Sequence, residues 1–276
     1  MRTMLLPDAV RYATISAAEL RAHYLIENLF TGDRIDQVWC EADRAIIGSA
    51  VPIGKPLALE SVPEMRCTFF CERREMGILN IGNPGTVNVD GNAYALDNLD
   101  CLYIGMGSKD IGFSSQTPEK PARFYLLSYP AHHVYPVALA RRAEAQSLKL
   151  GSAATCNSRT IYKFIHPEGI KSCQLVMGFT QLDSGNVWNT MPPHTHLRRS
   201  EVYLYFNMPS DARVFHLMGR PDETRHLVIA DQQVVVSPAW SIHAGAGTAA
   251  YAFCWGMGGE NQAFNDMDLL TTGELI

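Results

Sequence analysis

The sequence predicts a mainly β protein: two tandem β-sandwich halves, residues 1–150 and 151–276, with a few short helices. Three observations carry that prediction. Short runs of β-branched and aromatic residues recur between Gly, Pro and Asn at the spacing of sandwich strands. They fall into two series, separated by a polar stretch at residues 138–152. Only one segment outside that stretch has the mark of a helix.

That segment begins at Ser16-Ala-Ala-Glu19, a capping box, and continues with Leu20, Tyr24, Leu25 and Leu29 at helical spacing, so a helix is expected over 17–29. Strands are expected at 67–71, 77–81, 86–89, 93–96, 101–106 and 124–128, with Asp90-Gly91-Asn92 as a hairpin turn between two of them. Residues 138–148, which include Arg141, Arg142 and Glu144, read as a polar helix, and with Gly151-Ser152 they form the connector. The second series is expected at 160–165, 173–180, 201–206, 213–218, 224–230, 233–236 and 250–256. No residue-level repeat joins the two series, so their duplication rests on strand count.

Composition narrows the function. A net charge of −5 over 276 residues, with the signs interspersed, offers no basic face, which argues against a nucleic-acid partner. No run of about 18 apolar residues is present to span a bilayer. The amino terminus lacks the apolar core and cleavage site of a secretory signal, and a cytoplasmic protein is expected. Cys40, Cys67, Cys71, Cys101, Cys156, Cys173 and Cys254 are an odd set within apolar sequence and read as reduced thiols.

The stretch Asn189-Thr-Met-Pro-Pro-His194-Thr-His196-Leu-Arg-Arg-Ser-Glu201 concentrates the chemistry. In extended chain, positions two apart face the same way, so His194 and His196 can converge on one ion. Glu201 lies at an odd offset. It joins them only if Leu197-Arg198-Arg199-Ser200 forms a turn or bulge that resets the alternation. His243, in a segment bounded by Pro238 and Gly245, is the candidate fourth ligand. Three imidazoles and one carboxylate suit a divalent ion such as Zn²⁺, Fe²⁺, Mn²⁺ or Ni²⁺, with Zn²⁺ preferred where no redox step is needed.

A His-x-His pair followed by Glu and a later His resembles the metal motif of the cupin superfamily, whose members are double-sheet jelly rolls. The blocks at 71–91, 159–165, 189–206, 218–226 and 237–261 are similar to the 5-keto-4-deoxyuronate isomerase family, nearly from end to end. That resemblance implies two cupin-like halves, one Zn²⁺ per subunit and a homohexamer. It also implies a small uronate substrate: ketol-isomerisation of 5-dehydro-4-deoxy-D-glucuronate to 3-deoxy-D-glycero-2,5-hexodiulosonate in pectin breakdown. The family's zinc ligands fall on His194, His196, Glu201 and His243, and all four match.

Such a reaction also needs a proton carrier and a carboxylate anchor. Glu260, after Gly258-Gly259, is a candidate base, as are Lys163 in an apolar strand and His226, with His216 as a further titrating group. Each has an ordinary structural alternative: a turn, an outward-facing strand position, or core packing. Arg199 and Arg225 are candidates for the substrate carboxylate, and Tyr203, Tyr205 and Trp240 for the cavity wall. Two further classes remain: an iron dioxygenase, which the same ligand set suits, and a non-catalytic sugar-binding cupin, which the complete ligand set and the lack of an output domain weaken.

Overall fold

The computed structural model describes all 276 residues. They form two compact units, each discontinuous in sequence. The first comprises Met1–Thr3, Leu29–Gln146 and Lys163–Met177, and the second Met4–Asn28, Ser147–Tyr162 and Gly178–Ile276. A single cut at residue 150 therefore does not describe the division.

Strand order establishes the duplication that the sequence left to strand count. One seven-stranded sheet runs Arg2–Met4, Ile35–Cys40, Ile46–Ala50, Phe124–Pro130, Arg74–Asn80, Cys101–Ile104, Ala138–Ala140. The other runs Gln146–Leu150, Arg159–Ile165, Val176–Leu182, Ala252–Gly259, Arg199–Phe206, Gln233–Ser237, Leu25–Ile26. Each is accompanied by a four-stranded sheet. Those are Leu57–Ala58, Ile111–Ser115, Gly85–Val89, Asn92–Leu96, and Trp188–Asn189, Ile242–Gly247, Val214–Arg220, Glu223–Ile229. The two sets visit equivalent sheet positions in the same chain order except at one edge, where Ala138–Ala140 closes the first large sheet and Leu25–Ile26, from the start of the chain, closes the second; this is the mainly β, tandem jelly-roll architecture expected.

The Asp90-Gly91 hairpin is present, with both residues at positive φ (49° and 82°) and Val89 paired with Asn92, as a two-residue turn of this composition requires. The capping box is present too. Ser16 N donates to Glu19 Oε2, and Glu19 N donates to Ser16 Oγ. The helix it starts, Ala17–Tyr24, is shorter than expected. It stops because Leu25 and Ile26 leave it to pair with Val235 and Val234 at a sheet edge.

Two expectations are overturned. Residues 138–148 form no α-helix: Ala138–Ala140 pairs with Cys101–Ile104, and Gln146–Leu150 is another strand. Asp100 holds the turn between them, accepting from Arg142 N at 2.9 Å and Arg141 Nη1 at 2.7 Å, and these contacts override helix propensity. Residues 67–71 form no strand either. Glu72 Oε2 accepts from Thr68 N at 2.6 Å, and the chain closes into the 3₁₀ turn Phe70–Glu72. All seven cysteines are free thiols. No helix is long and apolar enough to cross a membrane.

Candidate metal centre

Three short elements of the second unit build the site. His194 lies in His194–Thr195, a two-residue strand whose partner is Asp268–Leu269. The chain then turns at Leu197 and Arg198 and enters Arg199–Phe206, so the predicted reset occurs, with Arg199 and Ser200 already in the strand. Glu201, Tyr203 and Tyr205 share the inner face of that strand. His243 comes from Ile242–Gly247, where it pairs with Met218. A hydrogen bond of 2.7 Å between Tyr205 Oη and His216 Nδ1 ties the inner faces of the two sheets together.

The four expected ligands converge. One ligand atom from each of His194, His196, Glu201 and His243 lies within 4.8 Å of the others. His243 Nε2 is 3.0 Å from both His194 Nε2 and Glu201 Oε2, and His196 Nε2 is 3.0 Å from the same carboxylate oxygen. Four electron-pair donors aimed at one point repel one another unless protons or a cation lie between them. Three imidazoles and one carboxylate are the donor set of a zinc-type divalent ion, so the residues fit a metal. His196 Nδ1 sits 2.9 Å from the Arg199 carbonyl; the tautomer that donates there leaves Nε2 free to ligate.

Electrostatics follow from burial. His194 falls to about 3 because burial disfavours its cation, with His243 adding to the effect, and burial likewise takes His216 to about 3. For His196 burial is opposed and outweighed by the Glu201 carboxylate, so it rises. For Glu201 burial is outweighed by His243 and His196, so it falls well below the usual range. Burial and the Glu201 charge hold the Tyr203 hydroxyl protonated.

Acid lability should result. Between about 3 and 6.5 the unfolded chain binds protons that buried His194 and His216 refuse, so stability rises with pH across that window and is lost as pH falls through it. The slope is at most about 1.4 kcal/mol per pH unit for each group. Glu201 acts in the same sense; His196 opposes it, since its contribution is lost as pH rises through its raised value. Melting of the metal-free protein should show a falling midpoint below about pH 6.5, whereas a flat profile down to about pH 4 contradicts this assignment.

The other candidates are dispersed. Arg199, 1% exposed, is committed to the protein: it ion-pairs with Asp266 at 2.8 Å and donates to Asn261 Oδ1 and the Ala263 carbonyl, leaving only its buried Nε without a partner. Arg225 Nη1 donates to the carbonyls of Tyr12 and Ile15, fastening the amino-terminal segment, and Trp240 packs edge-on against Tyr12 at 5.2 Å. All three make their contacts within the protein. His226 is exposed beside Phe215; it pairs with Leu217, whereas His243 pairs with Met218, so it lies on the outer face of the sheet. Lys163 is half-buried on Arg159–Ile165. Glu260 is exposed on the bend after Ala252–Gly259, and its N–H donates to the Arg198 carbonyl. Tyr203 does reach the cluster, its ring 5.5 Å from that of His243.

Sequence reasoning missed Asp266, which receives both Arg198 and Arg199 and so pins the turn between His196 and Glu201. The signal was the Arg198-Arg199 doublet, two cations beside a buried site with no acid assigned to them. It also missed the pair Asn189 and Tyr251, joined at 2.6 Å, which closes the interior below Tyr205.

Comparison with known proteins places this geometry. A family model described as the KduI/IolB family matches residues 42–271. The chain is 53% identical to a 4-deoxy-L-threo-5-hexosulose-uronate ketol-isomerase of Halalkalibacterium halodurans, over 97% of this chain and 96% of that protein. Its identity to a protein of the same name from Bacillus subtilis is 50%, over 96% and 95%. Among solved structures, an IolB-like protein from Salmonella typhimurium matches with a TM-score of 0.74 at 13% identity, covering 90% of this chain and 96% of that one. The oxalate decarboxylase of Lactobacillus farciminis matches with a TM-score of 0.59 at 8% identity over 89% of each chain. At such identities the two structures support the cupin-like fold alone.

Proposed function

We propose, from the premise that this chain belongs to the KduI/IolB family and is a ketol-isomerase, an intramolecular oxidoreductase, that it interconverts 5-dehydro-4-deoxy-D-glucuronate and 3-deoxy-D-glycero-2,5-hexodiulosonate. The observation that carries this reading is the convergence of His194, His196, Glu201 and His243 in a chain about half identical to relatives named for that activity. One Zn²⁺ per subunit, a homohexamer and a cytoplasmic role in uronate and pectin breakdown complete the proposal; the sequence blocks that resemble the family support them.

The reaction moves one proton from the hydroxyl-bearing carbon to the neighbouring carbonyl carbon and one from the hydroxyl oxygen to the carbonyl oxygen, through an enediol, with no change in atoms or overall oxidation state. When bound, Zn²⁺ held by the four ligands supplies a Lewis acid for the carbonyl and the developing oxyanion. The chain's own residues set the conditions. His194 stays neutral and Glu201 ionised, which keeps both competent as ligands. Arg199 fixes the turn through Asp266 and orients His196 through its carbonyl. Tyr203, held protonated beside His243 and Glu201, walls the cluster and helps fix the Glu201 carboxylate.

For proton transfer we retain Glu260, on the bend tied to Arg198 beside the ligand-bearing turn. Glu260→Gln should keep its metal and lose turnover by about 100-fold or more, the usual contribution of a general base. Normal turnover in that variant assigns the step elsewhere. The function as a whole is tested by proton NMR of the purified protein with 5-dehydro-4-deoxyglucuronate in D₂O. Conversion to the 2,5-diketo acid, with deuterium entering the carbon that gains the proton, is the expected result. No conversion by a folded, metal-loaded sample, with oxygen consumed instead, would contradict it.

A further inference from the structure

The first unit has no counterpart of the His/Glu cluster, but it has a cavity of about 400 Å³ at the end of its own sandwich. Trp39 pairs with Ile46, Ile46 with Ser128, and Ser128 with Met76, so these residues form one row across the large sheet. Arg74 lies on the same face, two residues before Met76, at the start of Arg74–Asn80. Trp39, Ile46 and Met65 wall the cavity with apolar surface, and Arg44, Arg73 and Arg74 line it as well.

Arg74 is the unusual member. It is only 9% exposed, yet no carboxylate pairs with it. Its Nε donates to Ser128 Oγ, and Nη2 donates to the carbonyls of Arg44 and Ser128. Its Nη1 makes no hydrogen bond within the protein. Burial without a counter-ion pulls Arg74 down to about 10, and a buried cation left in that state is costly. Arg73 is already paired with Glu72, and Glu64, exposed at the rim, is the one carboxylate among the lining residues.

The second unit shows how the same problem is solved elsewhere. Arg199–Phe206 occupies the equivalent place in its sheet and also begins with a buried arginine, but there Asp266 supplies the negative charge. In the first unit no side chain does so.

We infer that this cavity is a ligand site in its own right, binding a small carboxylate with an apolar body: the carboxylate meets Arg74, and the body lies against Trp39, Ile46 and Met65. The volume is in the range of small-molecule sites, and apolar walls with one convergent charge are their usual chemistry. A guanidinium matches a carboxylate in shape and charge. The inference is independent of the reaction proposed for the His/Glu cluster.

The probe is benzoate, with benzamide as its neutral isostere and acetate as the anion without a body. Calorimetric titration of the intact protein should give benzoate binding at least about tenfold tighter than that of either control. Arg74→Met and Trp39→Leu should each weaken benzoate by about tenfold or more while leaving thermal unfolding cooperative. Should Arg74→Met fail to fold, Trp39→Leu and the benzoate-to-benzamide ratio in the unaltered protein decide the matter. Benzamide binding as tightly as benzoate, or unchanged benzoate binding in the folded variants, overturns the proposal.

Discussion

His243→Ala should lose more than about 100-fold in metal affinity and, with it, nearly all turnover, while remaining folded. The magnitude follows from comparison: removing a residue that merely supports a ligand already costs about 10- to 100-fold, and His243 is itself a ligand candidate at the centre of the cluster. Its Nε2 lies 3.0 Å from both His194 and Glu201, so its loss opens the set on two sides. Folding should survive because the imidazole Nδ1 is a buried atom without a partner, so its removal breaks no hydrogen bond on that side. Metal analysis, turnover and circular dichroism on the same sample check this outcome. A variant with normal metal content and turnover would falsify the proposed centre.

Asp266→Ala should be the most destabilising single change near the site. Arg199 is 1% exposed, and without Asp266 its guanidinium keeps only neutral partners, Asn261 and the Ala263 carbonyl. Breaking a buried pair by removing one partner costs about 3–5 kcal/mol. Because Asp266 is itself 17% exposed, the lower end applies, about 3 kcal/mol, or a fall of roughly 6–12 °C in melting temperature for a chain of this size. Metal affinity should fall too, since Arg199 carries the carbonyl that orients His196. Adding Arg199→Met to Asp266→Ala should recover part of the loss, because the stranded charge is then gone. A double variant less stable than Asp266→Ala would show that the charge is not the cause.

These two residues mark what was legible in the sequence and what was not. His194 and His196 stood out only once Glu201 and His243 joined them, since a His-x-His pair alone is more often ordinary, and the resemblance to the isomerase family covered all four. Asp266 did not stand out, since its role depends on a contact 67 residues distant in sequence. The Asp90-Gly91 hairpin was legible because positive φ at two successive positions restricts residue choice. Residues 138–148 were misread because their local propensity favours helix, while Asp100 and the strand Cys101–Ile104 impose extended chain.

The strand that carries His243 was read as a turn-bounded segment because Ile-His-Ala-Gly-Ala-Gly lacks strand-forming bulk. The structure supplies the reason. A Cβ at Gly245 would lie 2.7 Å from Asn189 Nδ2 and 3.0 Å from the Tyr205 hydroxyl, so the crowded interior excludes larger residues there. Two of the candidates for substrate contact are committed elsewhere for a related reason. Arg199 and Arg225 had the right chemistry for a carboxylate, but the fold uses both to fasten its own segments.

Isomerisation should depend on a metal held by the His/Glu cluster. That dependence is tested most directly by titrating turnover of 5-dehydro-4-deoxyglucuronate against bound metal, first removing the metal with a chelator and then restoring Zn²⁺ in steps. Turnover should rise in proportion to zinc and saturate at about one ion per chain. Full turnover with less than about one-tenth of an ion per chain would contradict it.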